Sequence, residues 1–162
     1  MPLNIITFFI FYNLILFSVL GFGFIASKIF FKNRLNNNLG FVGLFGLFFL
    51  LIYSYYSHFF IPHDYIHNVI ILLIGLFLFV YFIKDFDFLS FKILLVVFFF
   101  LFLVLLLFKT HDDFHYYHFP YTYYITQHSL LIGVGQFNHG FRTPSSIFYL
   151  NSLFYLPFAK YY

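Results

Sequence analysis

The sequence predicts an all-α integral membrane protein, with four transmembrane helices followed by short amphipathic helices on the extracytoplasmic side. Three observations carry this expectation. Hydrophobic residues make up 63% of the chain and charged residues only 8%, a balance foreign to water-soluble globular domains. The mean hydropathy is +0.94. The apolar residues are gathered into four long runs, and the charges fall in the short segments between and after them.

Charge and cysteine content narrow the function classes. The formal net charge of +3 comes from a few Lys and Arg in short loops, so it reports orientation in a bilayer, and with no basic tract it gives no case for a nucleic-acid partner. The lipid bilayer is the expected partner. Without cysteine the chain forms neither disulfides nor thiolate metal sites. Its 32 Phe and 15 Tyr, with no Trp, make the apolar surface aromatic but point to no particular chemistry.

Taken in order, Ile5 to Ala26 is long enough to cross a bilayer core of about 30 Å at about 1.5 Å per residue. Met1-Pro2-Leu3-Asn4 lacks a basic n-region, so the run reads as a retained span rather than a signal peptide. The following segment holds Lys28, Lys32 and Arg34 beside an Asn-rich turn with no acid, the strongest cytoplasmic signal in the chain, which places the N-terminus outside. Residues 41–56 form the second span. Gly40, Gly43 and Gly46 recur every third residue, a spacing that lets another helix approach one face closely.

Residues 57–68 then lie outside, with Pro62 breaking the helix before His63, Asp64 and His67. On a helix, His63 and His67 are four apart and could hold a divalent metal with Asp64 nearby, but a pair without a third fixed ligand is a weak signal, and the plainer reading is an interfacial helix start with Asp64 near its dipole. Residues 69–83 are the third span. Lys84 to Lys92 is a short cytoplasmic turn, and residues 93–108 are the fourth span, without a polar face at any helical spacing. Four crossings return the chain to the outside, so all eight histidines share one side of the membrane.

The stretch from Lys109 to Tyr124, KTHDDFHYYHFPYTYY, interrupts the most apolar part of the chain with two adjacent acids and three histidines. Such groups beside hydrocarbon are costly unless they face water, a ligand or one another. If the stretch is helical, His111, His115 and His118 share one face, while Asp112 and Asp113 diverge by about 100° and cannot both point into one site. Three readings of this cluster stand open. One Asp is a general base, with His or Tyr neighbours and a cation stabilising a departing phosphate. Or Asp112 and His115 bind a divalent metal. Or the acids mark the start of an interfacial helix whose tyrosines, Tyr116, Tyr117, Tyr121, Tyr123 and Tyr124, form a headgroup belt.

Pro120 is expected to break this segment, leaving residues 121–131 as a second amphipathic element that ends at Gly133-Val134-Gly135, a turn rather than a dinucleotide motif. Residues 136–146 hold Asn138, His139 and Arg142, the only arginine outside the first loop. Its planar fork suits a phosphate or carboxylate, and pairing with Asp112 or Asp113 would serve a purely structural role equally well. Thr143 as N-cap, Pro144 at the first helical position and the apolar run 147–156 predict a further helix, halted near Pro157.

The run HDDFHYYHFPYTYYITQ followed by GVGQFNHGFRTPSSIFYLNSLFYLP resembles the loop of a group of uncharacterised, many-spanning bacterial membrane proteins similar in layout to the GT-C class of glycosyltransferases. The likeness rests on Asp112 or Asp113, Tyr117-His118, Gly135, Asn138, His139, Gly140, Arg142 and Ser145-Ser146, and covers the last third of the chain. The resemblance implies sugar transfer from a polyprenyl-phosphate donor at the outer face of the inner membrane, in envelope polysaccharide or glycolipid synthesis. Asp112 or Asp113 would then be base or metal ligand, His115 and His118 would orient it or bind the acceptor, Tyr117, Asn138 and His139 would line the substrate, and Arg142 would hold the donor phosphate. GT-C enzymes place their key acid after the first span, whereas here it follows the fourth; they also have many more spans, so the chain is expected to be the N-terminal part of a longer protein. The alternative is a non-catalytic transport component or scaffold with a structural or metal-binding His/Asp cluster.

Overall fold

The computed structural model describes residues 5–31, 38–85, 88–107, 112–130, 132–143 and 145–156. Four long helices carry the apolar runs: α1 (Ile5–Phe31), α2 (Leu39–His58), α3 (Tyr65–Phe82) and α4 (Phe88–Leu106). Two short ones follow, α5 (His118–Gln127) and α6 (Ser146–Leu153), and no strand occurs among the described residues. Each of α1 to α4 is long and apolar enough to cross a bilayer. The chain is an integral membrane protein.

The long helices overrun the apolar runs because polar residues close their ends. α1 continues past Ala26 by laying the Lys28 ammonium 3.9 Å from the centre of the Phe82 ring, an aromatic face that receives the charge while the stem stays among apolar neighbours. α2 begins two residues before the expected start, since the Asn38 Oδ1 accepts hydrogen bonds from the backbone N–H groups of Gly40 (3.1 Å) and Phe41 (3.2 Å). In the same way the Asp64 Oδ1 accepts from the His67 N–H at 2.8 Å and starts α3 at Tyr65. Lys32, Arg34, Asp87, Lys109 and His111 lie outside the described residues.

The chain divides into two compact units. Of the described residues, the first takes those up to 50 and those from 72 to 107, and α1 is its hub. Hydrophobic burial does not draw helices together in lipid, so close backbone approach and side-chain packing must do so. Glycine supplies the approach. A Cβ at Gly46 would overlap the Val19 carbonyl, one at Gly23 the Val42 carbonyl, and one at Gly21 the Gly75 carbonyl. Of the three glycines spaced along α2, only Gly46 makes such a crossing; a Cβ at Gly43 would find the nearest atom, Leu20 Cδ2, at an ordinary 3.7 Å. α4 has no glycine and joins through aromatics instead: Phe102 meets the edge of Phe9 at 4.8 Å between ring centres, and the Tyr12 hydroxyl donates to the Phe98 carbonyl at 3.1 Å. Most of its side chains remain exposed.

The second unit takes residues 51–71 together with 112–156 of the described chain. Its core is Tyr121 and Ile125 of α5 against Phe148 and Tyr149 of α6. Three local expectations are corrected here. Pro120 does not break the segment but is the third residue of α5, where a missing N–H has no intrahelical partner to lose. Asp112–Phe114 is a single 3₁₀ turn and α5 starts only at His118, so His115 and His118 do not share an α-helical face. The cap of α6 is Ser145, whose extended backbone (ψ 142°) lies outside the helix and whose Oγ accepts from the Ile147 N–H at 3.4 Å, rather than Thr143. Pro144, expected at the first helical position, lies outside the described residues.

Candidate functional site

The second unit holds two polar assemblies, one closed and one open. The closed one grows from the chain reversal between α2 and α3. Asn68, on the first turn of α3, is fully buried, and its Nδ2 lies within hydrogen-bond distance of the carbonyls of His63 (2.9 Å), Ser152 (2.8 Å) and Tyr155 (2.9 Å), which share its two N–H groups. That one amide ties the reversal to α6. With Nδ2 so placed, Oδ1 faces the His67 Nδ1 at 3.2 Å and accepts its proton, leaving the His67 Nε2 to accept from the Tyr53 hydroxyl at 2.8 Å.

His63 is assigned by the same logic. The Ser152 hydroxyl donates to the Tyr149 carbonyl at 2.7 Å and so accepts from the His63 Nδ1–H at 2.6 Å; the Ser57 hydroxyl lies nearer the His63 Nε2 (2.8 Å) than the Ser54 carbonyl (3.3 Å) and gives its one proton to the imidazole. Both imidazoles are neutral. They stack at 5.0 Å with 9° between planes, and His58 meets the His63 ring edge-on at 5.4 Å. Burial first, and then the neighbouring His67 and His58, push the His63 imidazole down to about 3.

A stability consequence follows. The unfolded imidazole binds a proton near pH 6.5, the folded one only near 3, so the unfolded state holds more protons throughout that window and stability falls as pH falls through it. The expected loss from His63 is up to about 1.4 kcal/mol per pH unit. Chemical denaturation of the purified protein at several pH values checks this; His63→Gln, which can keep both hydrogen bonds, should lower the slope by one proton. An unchanged slope would remove His63 from the account.

The open assembly joins the two polar stretches of the C-terminal third. Asn138 Nδ2 donates to the Tyr116 carbonyl at 3.3 Å, and Gly140 lies so close to Tyr117 that a Cβ there would stand 2.7 Å from the Tyr117 Cβ. The Asn138 Oδ1 also accepts from the Gly140 N–H at 2.9 Å. The exposed Arg142 donates from Nε to the Gly135 carbonyl at 3.2 Å. The first two of these contacts set residues 116–117 against residues 138–140, and the last fixes the loop on itself.

The individual candidates divide clearly. Asp112, His115, His139 and Arg142 are exposed; Asp113, Tyr117, His118 and Asn138 are half-buried. Asn138 is committed to holding the loop. His118 packs edge-on against Tyr117 at 4.4 Å and beside Phe148 at 5.2 Å, which places it between the surface and the core. Among the described residues no three His, Asp or Glu side chains converge as metal ligands. The nitrogens of His63 and His67 are all engaged in hydrogen bonds. Sequence reading did not single out Tyr53, Ser57, Asn68 or Ser152: Tyr53 and Ser152 are polar groups within apolar runs, and Ser57 and Asn68 are the two ends of the short segment that carries His63.

Comparison with known protein families, with characterised proteins and with solved structures gives no match for this chain.

Proposed function

We propose that this membrane protein acts in GT-C-like sugar transfer, with the surface formed by residues 112–118 and 135–142 receiving a polyprenyl-phosphate-linked sugar on the outer side of a bacterial inner membrane. The observation that supports the reading is the joining of the two stretches: the Asn138 bond to Tyr116 and the Gly140 contact with Tyr117 set an acid-bearing segment beside an arginine-bearing loop. Lys28, Lys32 and Arg34 in and beside the first loop favour the orientation.

In this reading Asp112 or Asp113 takes the proton of an acceptor hydroxyl. The acceptor oxygen bonds to the anomeric carbon as the bond from that carbon to the phosphate oxygen breaks, and the phosphate leaves with the electron pair. Arg142 neutralises its developing charge, and His115 or His118 orients the acid or the acceptor. Transfer of labelled sugar in proteoliposomes tests the roles. Asp112→Asn or Asp113→Asn should lower transfer by about 10²-fold or more with insertion unchanged. Full activity in both variants, or no transfer by the parent protein, would overturn the proposal.

A second reading, a non-catalytic membrane scaffold, is favoured by one observation. The best-built polar site of this unit, around His63 and Asn68, is closed and internally hydrogen-bonded, as a structural element would be. In that case the Asp variants leave every activity untouched, while Asn68 and His63 variants alter stability alone.

A further inference from the structure

The turn that precedes Asn138 carries two large apolar side chains to which sugar transfer assigns no part. Ile132 is 100% exposed and Phe137 90% exposed, and they bracket Gly133-Val134-Gly135-Gln136. Gly133 takes a left-handed conformation (φ 91°), and a Cβ there would meet nothing within 4 Å, so this end stands clear of the rest of the second unit. The turn is nevertheless held in shape. The N–H groups of Gln136 and Phe137 donate to the carbonyls of Gly133 and Val134, each at 3.0 Å, and Arg142 braces Gly135 from behind.

A large aliphatic and a large aromatic side chain fixed on a braced turn in water would lose the gain that burial gives such groups. Unlike the exposed residues of α1 to α4, they do not belong to a spanning helix. The same stretch is one-sided in charge: residues 128–156 contain His128, His139 and Arg142 but no acid. Apolar tips beside basic groups match a surface with acyl chains below and phosphate headgroups above. A bilayer is also always at hand, since the chain carries four helices able to cross one.

We infer that residues 132–137 form a membrane-inserting tip, with Ile132 and Phe137 seated at the headgroup–acyl boundary and His139 and Arg142 beside anionic headgroups. The inference stands or falls on Ile132 and Phe137, two side chains to which sugar transfer assigns no part.

The absence of tryptophan makes the test direct. Phe137→Trp and, separately, Ile132→Trp are prepared in the full chain and reconstituted into nanodiscs of phosphatidylcholine with phosphatidylglycerol, carrying spin-labelled lipid at a shallow or a deep acyl position. Both sites are exposed, so neither substitution disturbs packing. The expected result is blue-shifted emission, quenched strongly by the shallow label, less by the deep one, and weakly by iodide in the buffer. Emission typical of water, quenched by iodide and by neither lipid label, would overturn the inference. Blue-shifted emission insensitive to all three quenchers would also overturn it, since the tip would then be covered by protein.

Discussion

Gly46→Val is expected to be among the most damaging single substitutions in this protein, costing about 3 kcal/mol or more, because its side chain would be driven into a backbone carbonyl that cannot swing aside. A Cβ at this position already overlaps the Val19 carbonyl, with the Gly23 nitrogen a further 3.1 Å neighbour. Relief requires α2 to move away from α1, and that undoes the approach on which helix association in lipid depends. The informative control is three residues away. At Gly43 an added methyl makes only van der Waals contact with Leu20, so Gly43→Ala should be neutral or stabilise by up to about 1 kcal/mol through helix propensity. Unfolding of the two variants in mixed micelles by a denaturing detergent checks the contrast. Equal behaviour would mean that α1 and α2 do not cross at Gly46.

Asn68→Leu should destabilise the second unit by about 3 kcal/mol or more. The substitution removes one buried amide and its bonds to the carbonyls of His63 and Ser152, which are buried, and to the Tyr155 carbonyl and the His67 Nδ1–H, which are half-buried; of these, among the described residues, only the Ser152 carbonyl keeps a further donor, the Tyr155 N–H at 3.3 Å. Leucine keeps the branching of asparagine but is bulkier, so Asn68→Ala, which adds no volume at this fully buried position, is measured beside it and should show the same loss. Because two of the three carbonyls belong to residues 152 and 155, the effect should appear first as faster hydrogen exchange along α6 and its C-terminal end. Asn138→Ala, at a half-buried loop position with one donated and one accepted bond, should cost no more than about 1 kcal/mol. Unchanged exchange in α6 on Asn68→Leu would show that the amide does not hold it.

These contrasts also mark how far the sequence is legible. The four spanning helices follow from the long apolar runs, because in lipid a continuous apolar stretch has few ways to satisfy its backbone other than as a helix. Their ends do not follow from hydropathy, since Asn38 and Asp64 extend α2 and α3 through side-chain caps that an apolar count does not register. The regular spacing of Gly40, Gly43 and Gly46 signals a packing face correctly, yet which glycine makes the crossing depends on where α1 lies, and the partners Gly21, Gly23 and Gly75 carry no periodic signal of their own.

The polar assemblies show the same limit. That residues 112–118 and 135–142 both matter is readable from their concentration of charge and imidazole in an apolar chain; that Tyr116 and Asn138 join them depends on a turn geometry no spacing rule supplies. Pro120 misleads because a proline signals a break in the middle of a helix and a start in its first turn, and only the position of Tyr117 and His118 decides between the two. Of the two readings of His63 and His67, the helix start at Asp64 is the one the structure bears out: Asp64 caps α3 between them, and partners on α2, α3 and α6 take up the nitrogens a metal would need.

The reading of residues 112–118 and 135–142 as one site for a lipid-linked phosphate is tested most directly by equilibrium binding of a polyprenyl phosphate to the purified protein in micelles, with Arg142→Gln measured beside it. The account predicts saturable binding by the parent protein and a loss of about tenfold or more in affinity on removing the guanidinium, the scale of one charge-assisted contact to phosphate. Absence of saturable binding, or equal affinity in the Arg142→Gln protein, would contradict it.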